Sequence, residues 1–427
     1  MIKRAFFWLK NNEMIKTSFF TGIGTIIAQL TGVISLKIIA LNLGAAGIAL
    51  ISQFIDFITI STSIATGGIQ HGVVKYVAEY NDDEKELSKI LSTSLIITFF
   101  TALICSLIIF LFSNFFSNYL FQTNTYSYII KLFAVNIIFF GFNTLAIKIL
   151  NGIGEIKKLV KVTISNSLFG LFLLLLGIYY NGLQGVLMAL SIAQSFYFII
   201  CLIFVKKSNW FQKKIFSSGL DKINLLRLLA FTLMGICMLV LTPFVNISIR
   251  NFISVHLSLV DAGIWSGILK LSNSYLGLIT VTLSYYYLPK LSKLTDKIEI
   301  RKEIFQGQII VLPFLLIFLF VIYLLREPII VLIYSKEFLD MKYLFPPQLI
   351  GDFLKISSFF LSYLLLAKAK TTEFIISSVI FAFLTYFLSV FFIKQFGLVG
   401  VVYSHAIVYF IYFCSMIYLL REYVFAK

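Results

Sequence analysis

Asp352 and Lys355 lie three residues apart in QLIGDFLKISSFFLSYLLLAKAK, a stretch otherwise apolar enough to sit in hydrocarbon. On a helix this spacing puts a carboxylate and an amine on one face. Two kinds of chemistry follow. The pair can neutralise itself inside a helix bundle. Alternatively it lines a water-filled cavity, where the amine binds an anion and the carboxylate serves as an ion-coupling group.

Four more charges fall in apolar stretches: Lys37, Asp56, Arg250 and Lys270. Each would cost roughly 2.5–3.5 kcal/mol at mid-bilayer. With all six facing lipid, the cost would be on the order of 15 kcal/mol, comparable with a whole protein's stability. They must therefore face protein, water or one another. Lys37, Arg250, Lys270 and Lys355 outnumber Asp56 and Asp352, the balance expected of an anion site. Lys37 and Lys270 either line such a cavity or snorkel to an interface. Asp56 is either a proton or cation site or the counter-ion of a lysine.

Other chemistry finds no support. GxxxxGK[ST], HExxH and GxSxG are absent, and GIGTIIA at Gly22–Ala28 lies inside an apolar stretch with no preceding strand. Cys105, Cys201, Cys237 and Cys414 sit singly in apolar runs, and His71, His256 and His405 are far apart. No metal, cofactor or enzymatic activity is expected.

The elements that must position these charges are membrane helices. The chain has 427 residues, 59% hydrophobic and 13% charged, with mean hydropathy +0.96. Soluble domains are about one-quarter charged. Twelve stretches are long enough to cross a bilayer: 17–41, 46–70, 88–112, 126–150, 158–180, 183–205, 227–250, 262–288, 305–325, 343–367, 372–394 and 398–420. Most of the 35 lysines and arginines fall at the ends and loops on one side. The other side holds Arg326, Lys336, Lys342 and Lys394. The positive-inside rule places the basic side, with both termini, in the cytoplasm. This distribution accounts for the net charge of +16 without nucleic acid. No cleaved signal peptide is expected from the basic N-terminus.

Gly67-Gly68 is expected to break the second span before an amphipathic, interfacial His71–Tyr80, and Tyr285–Tyr287 to join an interfacial aromatic belt. Two short motifs recur: AGI at Ala46–Ile48 and Ala262–Ile264, and GLQGV at Gly182–Val186 and GLVGV at Gly397–Val401. Each pair occupies the same span within its half. The expected fold is all-α, with two six-helix lobes related by a pseudo-twofold along the membrane normal. The lobes are residues 1–205 and 223–427, joined by a basic cytoplasmic linker at 206–222.

FTLM at Phe231–Met234, IR at Ile249–Arg250, AGIW at Ala262–Trp265 and YLPKLSKLT at Tyr287–Thr295 resemble the Wzx-type bacterial flippases. GVVKYVAEY at Gly72–Tyr80 and LIGDFLK…LLLAKA at Leu349–Ala369 extend the likeness over the chain. That family, of the multidrug/oligosaccharidyl-lipid/polysaccharide exporters, moves lipid-linked O-antigen or enterobacterial common-antigen units. The likeness is strongest for the common-antigen branch, where Lys37, Lys75, Arg250, Asp352 and Lys355 find their match; Asp56 and Lys270 depart from it. The resemblance implies an undecaprenyl-pyrophosphate-linked oligosaccharide as substrate, moved by alternating access across the bacterial inner membrane. It also implies membrane lipid, an O-antigen polymerase and a chain-length regulator as partners. A pyrophosphate suits the cationic balance. A multidrug or cation exporter of the same superfamily would instead need acidic residues to dominate. A membrane polymerase would need a longer external loop than Arg326–Lys342.

Overall fold

The computed structural model describes residues 13–425 except 207, 209, 212–217, 284–286 and 369. The basic N-terminus through Lys10, part of the basic linker, Tyr285, Tyr286 and Lys427 thus lie outside the described residues. Regular structure among those described is helical. In order come α1 (Glu13–Ala65), α2 (Gln70–Glu79), α3 (Glu84–Leu111), α4 (Ser113–Phe121), α5 (Ser127–Ile153), α6 (Ile156–Val205), α7 (Lys222–Leu229) and α8 (Thr232–His256). These are followed by α9 (Leu259–Thr282), α10 (Leu288–Lys293), α11 (Lys297–Leu324), α12 (Arg326–Ile333), a 3-10 segment (Lys336–Tyr343), α13 (Phe345–Ala367), α14 (Thr371–Phe396), α15 (Val399–Leu419) and α16 (Arg421–Val424).

Nine of the described helices are long and apolar enough to cross a membrane. Two of them, α1 and α6, are each broken once, at Gly44 and at Asn181-Gly182, and so each supplies two crossings. Helix α9 is comparably long but interrupts its apolar run with Lys270, Ser272, Asn273, Ser274 and Tyr275. Counting it, the crossings number twelve, and each overlaps a stretch read from hydropathy. The chain is a multi-pass membrane protein. Large apolar side chains point outward, as on α11, where Ile310 is 72% and Phe314 70% exposed. Hydroxyls turn inward instead: Thr93, Ser94, Ser191, Ser358 and Ser404 are buried. Small polar residues allow close helix approach when lipid, not water, is the solvent.

The repeat is written in the backbone. Gly182 (φ 54°, ψ −127°) and Gly397 (φ 61°, ψ −145°) take the same conformation, one that side chains with a Cβ rarely adopt. Three residues on, a Cβ at Gly185 would strike the carbonyl of Gly177, and one at Gly400 the carbonyl of Phe392. The GLxGV motif is therefore a tight hairpin between two crossings, built twice. The AGI copies also meet, for a Cβ on Gly263 would overlap the backbone of Ala45. Gly67 and Gly68 both have positive φ and end α1 where expected.

By contacts, residues up to Ile38 join Gln53–Pro243 in one compact unit, and Ile39–Ser52 join the residues from Phe244 onward in another. In the first unit, α2 packs Val73 and Val77 into a core with Leu87, Ile149, Val205 and Trp210. Its outward side leaves His71, Lys75 and Glu79 exposed, as an interfacial helix would. Glu155, before α6, organises the neighbouring loop. It pairs with Lys158 at 2.8 Å and accepts from Ser208 (2.8 Å) and the Trp210 indole (3.2 Å). Burial alone would push this carboxyl up, but the three donors outweigh it and hold it below the usual range. In the second unit Tyr287 does not join an interfacial belt. It is 2% exposed, edge-on to Phe360 at 5.2 Å, because the polypeptide turns it into the helix packing instead.

Two outcomes follow. Gly182→Ala or Gly397→Ala will destabilise the protein by about 1–3 kcal/mol, seen as a lower melting temperature in detergent, whereas Gly154→Ala, in the ordinary left-handed helical region (φ 81°, ψ 15°), will cost less. The depressed Glu155 carboxyl contributes stability above the ordinary Glu value of about 4.3 and loses it as pH falls through the folded value. Glu155→Gln will therefore melt below wild type at pH 7, and the gap will close toward pH 3.

Candidate functional site

Four of the six intramembrane charges, Arg250, Lys270, Asp352 and Lys355, belong to the second unit. Lys37 and Asp56 belong to the first, both half-buried on α1.

Asp352, on α13, is fully enclosed at 0% exposure. The carboxylate is satisfied from three helices. From α9, the Ser272 hydroxyl lies 2.8 Å from both oxygens, and the Tyr275 phenol donates to Oδ2. From α13 itself, one turn earlier, Gln348 donates to Oδ1 at 3.1 Å. From α15, His405 Nε2 stands 3.1 Å from Oδ1. Helices α13 and α15 approach so closely here that a Cβ on Gly351 would run into the His405 ring.

Lys355 does not take up the ion pair with Asp352 that their spacing allows. Its ammonium reaches instead to Asn273 Oδ1 at 3.3 Å and lies 5.8 Å from the centre of the Tyr409 ring. The reason is competition, because the carboxylate already has its donors on the side facing α9 and α15. Arg250, on α8, is 4% exposed; its Nε donates to Ser266 at 2.8 Å, and its guanidinium lies 5.7 Å from the Trp265 ring centre.

One helix organises these cations. Ser266, Lys270 and Asn273 are spaced i, i+4, i+7, a single stripe of α9. That stripe holds Arg250 through Ser266, carries Lys270 itself, and holds Lys355 through Asn273. From Ser266 to Asn273 it runs about 10 Å at 1.5 Å per residue. Ser272 and Tyr275, on a different face of α9, hold the carboxylate. The polar interruptions of α9 thus sort into a cationic row and an anionic anchor. Such a row suits a multiply charged anion such as a phosphate ester. Among the described residues, no group of three or more His, Cys, Asp and Glu side chains gathers as metal ligands would.

Sequence reasoning missed His405, Ser272, Tyr275, Gln348 and Asn273. Gln348 was within reach, four residues before Asp352 on the same helix. His405 had no sequence signal, since 53 residues separate it from Asp352.

Residues 14–295 match the family described as polysaccharide biosynthesis protein, and the chain belongs to that family. It is 29% identical to the lipid III flippases of Escherichia coli (strain K12) and Shigella flexneri, over 96% of this chain and 99% of each of theirs. The fold is that of the lipid II flippase MurJ in its inward closed conformation, with a TM-score of 0.72 and 17% identity over 95% of this chain and 87% of that one. It is shared too with an inward-facing multidrug resistance MATE family transporter of the MOP superfamily, at a TM-score of 0.70 and 14% identity over 94% and 96%.

Removing Asp352 strands four donors in a closed space, at about 1–3 kcal/mol for each one left unsatisfied. Asp352→Ala will therefore lose most folded protein, judged by size-exclusion profile and melting temperature in detergent. Lys355→Ala breaks one hydrogen bond to a neutral partner and will stay within about 1 kcal/mol of wild type.

Proposed function

We propose that this protein is a flippase that moves an undecaprenyl-pyrophosphate-linked oligosaccharide, an O-antigen repeat unit, from the cytoplasmic to the periplasmic leaflet by alternating access. It would reside in the bacterial inner membrane with both termini in the cytoplasm. Arg250, Lys270 and Lys355 of the second unit bind the pyrophosphate, and Lys37 is the first unit's own candidate for binding the substrate. Asp352 and Asp56 are the candidate ion-coupling carboxylates. The O-antigen polymerase and the chain-length regulator are its partners in the pathway.

The observation that carries this reading is the cationic stripe of α9. Three basic side chains are retained within a membrane-spanning unit, where each is costly. Full-length similarity to two lipid III flippases supports the same substrate class. Transport of this kind needs no covalent chemistry from the protein. The likeness to a MATE transporter raises a drug or cation exporter as a second reading. The excess of cations in the second unit speaks against it, since like charges disfavour a cationic cargo.

In proteoliposomes loaded with a lipid-linked oligosaccharide, Lys355→Ala will slow translocation at least about tenfold while protein abundance stays near wild type, if the lysine contacts the phosphates. Unchanged translocation would remove Lys355 from the site. In cells, deletion will leave single lipid-linked units facing the cytoplasm. Single units exported to the cell surface would point instead to a polymerase.

A further inference from the structure

Around Asp352 two hydrogen bonds compete for one atom. His405 Nε2 lies 3.1 Å from Asp352 Oδ1 and 3.2 Å from Gln348 Nε2. With a proton on Nε2 the ring donates to the carboxylate. Without it, Nε2 accepts from the Gln348 amide and turns a lone pair toward the carboxylate. A single nitrogen does only one of these at a time. Gln348 is 1% exposed, and its Oε1 is buried with no hydrogen-bond partner. The Gln348 amide is thus held through Nε2, the group that reaches both Asp352 and His405.

Asp352 is the one carboxylate in this cluster, with His405 and Lys355 near it. His405 touches it, while Lys355 is engaged by Asn273. The other ionisable groups around the ring are the phenols of Tyr409 on α15, 4.8 Å away between ring centres, and of Tyr275 on α9, which reaches it through Asp352. Helix α13 contributes Asp352 and Lys355, the latter 5.8 Å from the centre of the Tyr409 ring. On α14, the charges Glu373 and Lys394 sit near the two ends of the helix, and Tyr386 lies between them.

We propose that His405 is the proton-binding residue that sets how strongly Lys355 holds a phosphate. When Nε2 gains a proton, His405 closes an ion pair with Asp352, and the charge of Lys355 is left to the anion. When the proton leaves, the Asp352 charge falls to Lys355 to balance, and the phosphate is held less tightly. No bond other than N–H forms or breaks. His405 acts through Lys355 and is a positioning residue; the inference rests on the anion-site reading above.

The test measures binding of undecaprenyl pyrophosphate to the purified full chain in detergent from pH 5.5 to 8, the range in which imidazoles change charge. The probe's own titration is common to all variants, so the ratio between variants is what counts. Wild-type affinity relative to His405→Gln will fall about fivefold or more as pH rises across the range. Lys355→Ala will bind weakly at every pH. If His405→Gln keeps the wild-type pH profile while Lys355→Ala still loses binding, the proposal is overturned and the anion site stands. If Lys355→Ala binds like wild type throughout, the anion-site reading fails, and this inference with it. Should His405→Gln not fold, Gln348→Leu serves instead. Removing the competing donor will move the midpoint of the pH profile upward, and an unmoved midpoint would refute the role given to Nε2.

Discussion

A charge within a bilayer has no solvent to hold it, so its partners must be built into the protein. In the second unit that requirement converges on the enclosed Asp352 carboxylate, which draws donors from α9, α13 and α15. A buried charge is poorly repaid in stability compared with an apolar residue of similar volume. What it supplies here is registry. Ser272, Tyr275, Gln348 and His405 are satisfied together only if the three helices keep one rotation and one height. The cationic stripe inherits that registry from another face of the same helix, since the rotation of α9 that delivers Ser272 and Tyr275 to Asp352 also fixes Ser266, Lys270 and Asn273. The carboxylate therefore positions the cations without pairing with them.

A second constraint is backbone geometry. Two crossings joined with almost no loop need a sharp reversal, and a glycine in the mirror-image region provides it at Gly182 and again at Gly397. Eight residues separate the backbones that then touch, Gly177 with Gly185 and Phe392 with Gly400. The hairpin works only where the inner position has no side chain, so the motif carries two glycines. Such hairpins let the described residues make twelve crossings with little chain spent on loops.

The same economy shapes the polar interior. Many buried hydroxyls return a hydrogen bond to the helix carbonyl three or four residues back, as Ser94 does to Ile90 and Ser191 to Leu187. They cost the membrane nothing and make narrow helix faces. Ser266 and Ser272 go further. Ser266 donates to the Ala262 carbonyl while accepting from Arg250, and Ser272 reaches Asp352. These two hydroxyls are where the unit houses Arg250 and Asp352.

Sequence alone determined the architecture. Hydropathy located the crossings, because a bilayer demands about twenty apolar residues for each; the GLxGV and AGI repeats exposed the duplication. It also marked which charges had to be housed, since hydrocarbon rejects any charge wherever it sits along the chain. It did not determine how they are housed. The i, i+3 spacing of Asp352 and Lys355 offered a pair, but whether a carboxylate takes that partner depends on every other donor within reach. Ser272 and His405 come from helices 80 and 53 residues away, through helix packing that no local pattern encodes. Only the tertiary structure decided that Asp352 is an anchor, that Lys355 turns to Asn273, and that a histidine with no sequence signal reaches the carboxylate from α15.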